Sequence, residues 1–225
     1  MKFKINRDHF SSGIQLVMSV VGTRKTMPIL HNVLIEAKDN LVWLTTTNLD
    51  LGAKCSIRAD VTEEGTITLP VKELGRIIRE LADMEVSVET ADTPKATIST
   101  RGSIFNVIGM DSKEFPPLPE LEEKKEFVFD RNELVTMLKS VSYAQSVNEE
   151  RYMLKGVFFQ LAEEKLALVA TDGRRLAVTK NKIDTKDEGE FILPSLSVNE
   201  IEKLPDVGKQ VKVSFTDRQV SFELS

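Results

Sequence analysis

The sequence predicts an α+β protein of two tandem domains. Each is built from two β-α-β-β-β units, with the helices on an inner side and antiparallel sheets outside. Three observations predict this. Residues 3, 33 and 69 (Phe, Val, Leu) recur as Phe127, Val157 and Leu193, a constant separation of 124 residues, and Thr47-Asn48 recurs as Thr171-Asp172 at the same separation. Inside each repeat, alternating apolar stretches enclose helical periodicities, the mark of mixed strands and helices. Between the repeats lies Phe115-Pro116-Pro117-Leu118-Pro119, which neither a central strand nor a helix accommodates, because proline fixes φ and lacks a donor.

The elements follow in order. A short strand around Phe3 and Ile5 leads into a helix from about Asp8 to Val21, with Phe10, Ile14, Val17 and Val21 on one face. Asn6 is its N-cap; the repeat-mate Asp130 caps the equivalent helix, with Glu133 three residues on. Alternating strands are expected over 32–37, 41–46 and 51–57. The scheme restarts with a strand over 66–69 and a helix over 71–81 carrying Leu74, Ile77, Ile78 and Leu81 inward. Strands over 85–90, 95–100 and 104–109 complete the first domain, 1–119. The second, 120–225, matches it, drifting to a separation of 125 where Val86 and Val88 meet Val211 and Val213. It ends without a counterpart of the last strand, so an open sheet edge and a longer parent protein are expected.

Composition narrows the function. The 225 residues carry 30 Lys+Arg against 35 Asp+Glu, a net charge of −5, which at first argues against a nucleic-acid partner. No stretch reaches the roughly 18 apolar residues of a membrane span, and no signal peptide is apparent. The single cysteine, Cys55, sits in a strand-like alternation and reads as a half-buried packing residue, which suits a reducing cytoplasm. With one cysteine and two histidines, His9 and His31, neither a zinc site nor a nucleophilic triad is expected. The glycines are scattered, so no phosphate loop is present. No catalytic residue, metal or cofactor is assigned.

Charge patterning supplies one candidate surface. On the 71–81 helix, Lys72, Arg76 and Arg79 fall at i, i+4 and i+7 opposite the apolar face. The stripe suits a phosphate backbone; it also reads as an ordinary solvated helix face.

Several motifs, in this order on a duplicated chain, resemble one family. They are Met27-Pro28-Ile29-Leu30-His31-Asn32-Val33-Leu34, Thr46-Thr47-Asn48-Leu49-Asp50, Phe115-Pro116, Arg151-Tyr152-Met153-Leu154-Lys155-Gly156-Val157 and Ala170-Thr171-Asp172-Gly173-Arg174-Arg175-Leu176-Ala177. The chain resembles, over its whole length, the bacterial DNA polymerase III beta subunit, the sliding clamp. The resemblance implies a DNA clamp fold with three domains per subunit, the third absent here. It also implies a head-to-tail homodimer closed around duplex DNA, without sequence preference or catalysis. Implied DNA contacts are Arg24 with Lys25 beside it, the Lys72, Arg76 and Arg79 stripe, and Asn148, Tyr152 and Met153. Some members carry a second aromatic where Met153 stands. Implied residues of a partner-peptide groove are Leu154, Thr171, Gly173, Arg174, Arg175 and Leu176. Such a groove would serve the polymerase III catalytic subunit, the clamp loader and repair proteins. Some members have histidine at the Arg174 position. At the implied ring interface, Phe105 and Val107 of the 104–108 strand face either a partner subunit or their own core.

Two other readings stay open. One is a peptide-binding adaptor that does not encircle DNA. The other is a nucleotide-class enzyme using an acidic pair such as Asp50 and Asp172, although their near-equivalent repeat positions fit turn chemistry better. The charge objection weakens for a ring, where only the hole must be positive and an acidic exterior keeps DNA off the outside.

Overall fold

A computed structural model describes residues 1–21, 27–91, 94–148, 150–203 and 208–224. It divides into two compact units, Met1–Leu118 and Pro119–Ser225.

In unit 1, Asn6 ends strand β1 (Lys2–Asn6), and its side-chain oxygen accepts from the Asp8 and His9 amides at 2.9 and 3.1 Å. That satisfies donors a helix start leaves orphaned and begins α1 (Arg7–Met18). Phe10, Ile14 and Val17 are buried as the periodicity predicts. The helix stops three residues before Val21, which packs against the core from beyond the helix end. Strands β2 (Asn32–Lys38), β3 (Leu41–Thr47) and β4 (Gly52–Arg58) follow, then β5 (Asp60–Glu63), β6 (Gly65–Pro70), α2 (Val71–Glu80), β7 (Glu85–Thr90), β8 (Lys95–Ser99) and β9 (Ile104–Ile108). The short β5 has no counterpart in the sequence reading. It is four residues, three of them exposed, too little apolar signal to mark a strand.

The two halves of unit 1 exchange their first strands. β1 pairs antiparallel with β7, Phe3 opposite Val88, in a sheet ordered β5-β1-β7-β8-β9. β6 pairs with β2, Leu69 opposite Val33, in a sheet ordered β4-β3-β2-β6. The inward residues of both sheets and of both helices form one core, including Phe3, Phe10, Ile14, Ile35, Leu44, Leu69, Leu74, Ile78 and Ile98. Burial of this apolar surface is what holds two marginal half-units as one body.

Unit 2 repeats the plan. β10 (Lys125–Asp130), β15 (Gln210–Phe215) and β16 (Val220–Leu224) form one sheet. β13 (Leu176–Lys182), β12 (Lys165–Thr171), β11 (Gly156–Ala162) and β14 (Gly189–Pro194) form the other. Asp130 caps α3 (Arg131–Val141) through the Asn132 and Glu133 amides at 2.9 and 3.0 Å, the counterpart of Asn6; α4 (Ser195–Glu202) is the second helix. Even the hairpin turns correspond. Asp39-Asn40 between β2 and β3 and Glu163-Glu164 between β11 and β12 all have positive φ, as a two-residue primed turn demands.

Among the described residues no helix is long and apolar enough to cross a membrane, and no three His, Cys, Asp or Glu side chains cluster to hold a metal. Cys55 lies half-buried in β4 with its thiol toward the Gly13 carbonyl. Burial pushes its pKa up to about 11, so it is a poor nucleophile.

Candidate functional site

The most organised polar loop of unit 2 joins β12 to β13. Thr171 and Leu176 face each other across the two strands. The Thr171 hydroxyl donates to the Arg175 carbonyl at 2.7 Å and accepts from the Gly173 amide at 3.0 Å. One Asp172 oxygen accepts from the amides of Arg174 and Arg175 at 2.9 and 3.0 Å, and the other takes the Arg175 Nε at 3.0 Å. These bonds, the Arg174 amide foremost, hold the Asp172 carboxyl below its ordinary range. Asp172 is thus an ionised turn anchor, and the acid–base role considered for it has no support in this geometry. Gly173 has φ of +85°, where a side chain is strained.

A second segment abuts this loop. A short 3-10 turn, Tyr152–Leu154, precedes β11, and the Leu154 carbonyl accepts from the Ser146 amide at 2.9 Å. Arg151 ties the turn to the loop by donating from Nη1 to the Asp172 carbonyl at 2.9 Å. Arg175 also lies over the Tyr143 ring, 5.6 Å from its centre. The result is an open surface with Leu176 66% exposed, Leu154 half-buried, and Arg174 and Arg175 exposed beside them. It joins apolar anchors to a cationic, amide-rich rim, which suits an extended peptide with hydrophobic and acidic or amide side chains. Arg151 and Tyr143 were not singled out as site residues from sequence. Arg151 lies outside regular elements and Tyr143 in a three-residue 3-10 turn, too short for a periodicity that shows what they meet.

Of the expected DNA-contacting residues, Lys72, Arg76 and Arg79 are all exposed on α2, away from the buried Leu74 and Ile78. Glu73 and Glu80 lie on the same exposed surface, and Arg79 approaches Glu80 only at 3.9 Å. Asn148 and Met153 are exposed. Asn148 accepts from the Glu150 amide at 2.9 Å, so it shapes its own loop. Arg24 and Lys25 lie outside the described residues, as does the Tyr152 side chain.

At β9 the structure corrects one expectation. Val107 is 1% exposed and belongs to the core of unit 1, so it does not face a partner. Phe105, on the same side of the strand, is 39% exposed, so it stays open to solvent as expected. Ile104 and Ile108 on the other side are more open still, 71% and 76% exposed. β9 is the outer strand of its sheet among the described residues. Its register opposite β8 sends Val107 inward with Ala96 and turns the isoleucines out.

These features coincide with known proteins. Residues 1–119 match the family model described as DNA polymerase III beta subunit, N-terminal domain, and residues 129–225 match the central domain. The beta sliding clamp of Chlamydia muridarum is 31% identical over 225 residues, covering 99% of this chain and 62% of the relative. The crystal structure of the Bacillus subtilis DNA polymerase sliding clamp superposes with a TM-score of 0.95 at 29% identity, over 99% of this chain and 62% of that one. Caulobacter crescentus pol III beta matches with a TM-score of 0.91 at 30% identity, over all of this chain and 63% of that one. The chain therefore spans less than two thirds of the length of these relatives.

Proposed function

Because the chain belongs to the DNA polymerase III beta subunit family, we propose that it acts as a sliding clamp, tethering a replicative polymerase to duplex DNA without chemistry of its own. The observation that carries this reading is the outward cationic row Lys72, Arg76 and Arg79 on α2 of an otherwise acidic protein. Such a row engages phosphates without reading bases, as a sliding contact requires. Arg24, Lys25, Asn148, Tyr152 and Met153 would add to that contact.

The open edge of β9, with Ile104, Phe105 and Ile108, is our candidate for the contact with a second subunit in a head-to-tail ring. An edge strand with free backbone groups and apolar side chains favours strand addition. Leu154, Thr171, Gly173, Arg174, Arg175 and Leu176 form the candidate groove for a short peptide shared by the polymerase, the clamp loader and repair proteins. A cytoplasmic location fits a DNA-borne role.

The test uses the full-length protein, loaded by its clamp loader onto a nicked circular duplex. Retention on the circle and loss on linearisation is the outcome expected of a ring. Equal binding to both forms, or peptide binding with no retention at all, favours the adaptor reading.

A further inference from the structure

Unit 1 carries the same loop as the groove of unit 2. The Thr47 hydroxyl donates to the Leu51 carbonyl and accepts from the Leu49 amide, both at 3.0 Å. Asn48 accepts from the amides of Asp50 and Leu51 at 3.0 and 2.8 Å. These four bonds match the backbone-directed bonds of Thr171 and Asp172, without a counterpart of the Arg175 Nε bond, and Leu49 has φ of +77° where Gly173 has +85°. At the same separation of 124 residues, Leu30 stands for Leu154 and Gly52 for Leu176.

The surroundings of those two positions differ between the units. Leu30 is almost fully buried in a small apolar cluster, apart from the main core, with Ile29 and Phe115, and with Leu34 and Met110 against it. A β-carbon on Gly52 would collide with the Leu118 side chain, so Leu118 lies over residue 52. Phe115, buried beside Leu30, and the half-buried Leu118, lying against the still exposed Gly52, therefore sit on the counterparts of the two leucines that in unit 2 are half-buried (Leu154) and open (Leu176). The two prolines between them hold an extended backbone that loses little freedom on docking. The tether supplies an effective concentration on the order of millimolar, so even a weak contact stays made.

We infer that unit 1 holds a closed copy of the peptide groove, occupied in cis by the chain's own Phe115–Leu118 segment. Two related units thus present one open groove, and the linker shows the kind of occupant the closed copy takes: an extended segment with an aromatic residue and a leucine three positions on. The inference rests on reading the Leu154–Leu176 surface as a peptide groove.

The test uses the 225-residue chain and a fluorescein-labelled peptide of residues 113–120, Lys-Glu-Phe-Pro-Pro-Leu-Pro-Glu. A Leu176→Ser background silences unit 2. Adding Phe115→Ser and Leu118→Ser should create saturable one-to-one binding with a Kd at least tenfold below that of the background chain. A further Gly52→Leu, which fills the place of Leu118, should abolish it. A variant that is folded by circular dichroism yet binds no more peptide than the background overturns the inference. Should that variant fail to fold, Gly52→Cys with Leu118→Cys in a Cys55→Ser chain decides. Ready oxidation to an intrachain disulfide supports the seat of Leu118, and no cross-link overturns it. Failure of the unit 2 reading looks different: a clamp-motif peptide would bind the wild type and the Leu176→Ser chain equally, whatever happens in unit 1.

Discussion

Arg151 donates from Nη1 to the Asp172 carbonyl at 2.9 Å, and the same nitrogen lies 2.8 Å from where a β-carbon on Gly173 would stand. The bond that ties the Tyr152–Leu154 turn to the loop therefore depends on residue 173 having no side chain. Gly173→Ala forces a methyl into a positive-φ position at a cost of about 1 kcal/mol and pushes the guanidinium aside. We expect a small fall in melting temperature and a loss of peptide affinity larger than that fall explains, measured by calorimetry and fluorescence anisotropy. The reverse change in unit 1, Leu49→Gly, removes strain at φ of +77° and should leave stability equal or slightly higher.

Lys72→Ala, Arg76→Ala and Arg79→Ala in the intact protein should each weaken DNA contact while sparing peptide binding. If each side chain meets one phosphate, the slope of log K against log salt becomes shallower by about 0.9 per residue removed. Stability should move by no more than about 0.5 kcal/mol, since all three are exposed. A slope that does not change for any of the three places the DNA elsewhere.

Thr46 tests the packing of α1. Its buried hydroxyl donates to the Val17 carbonyl at 2.6 Å, at the helix end, where that carbonyl's other bonds are turn contacts from the Ser19 amide and, at a long 3.4 Å, from the Val20 amide. Thr46→Val keeps the shape and removes the donor, and should cost about 1 kcal/mol in urea unfolding with an unchanged m-value. Unit 2 has Ala170 at the equivalent place, so no such bond supports α3 there.

Glu126 sets an acid limit on unit 2. Lys124 at 2.8 Å, then Lys212 at 2.9 Å, lower its pKa from the ordinary 4.5 to about 2. A lowered carboxyl pKa contributes stability that is fully present above 4.5 and is lost as pH falls toward 2. Glu126→Gln should therefore narrow the stability difference between neutral and acid pH, measured by thermal melts across that window. High salt should shrink the effect, because the pair is solvent-screened.

Much of the fold was legible because its signals are local. The caps Asn6 and Asp130, the buried stripe of α2 and most strand alternations need only neighbours in sequence, and the structure places them as read. The paired Thr47-Asn48 and Thr171-Asp172 motifs were visible too, since a side chain bonding two or three residues ahead is a short-range event. The part of the site that escaped depends on contacts between elements: Arg151 reaches residue 172 across 21 positions, and Tyr143 meets Arg175 across 32.

The sequence by itself determined the duplication, the order of the helices and of every strand but the short β5, the outward cationic row on α2 and the family. Periodicity and motif order survive without knowing what touches what. Tertiary structure alone decided which strands pair, through the exchange of β1 and β6 between half-units. It also decided which face of β9 is buried. In Ile104-Phe105-Asn106-Val107-Ile108 one alternate set is Phe105 and Val107 and the other holds two isoleucines around Asn106, so hydrophobicity separates the faces only weakly, and register against β8 makes the choice. Likewise, nothing local to Gly52 or Leu118 reveals that one makes room for the other, because that contact exists only once the linker folds back on unit 1.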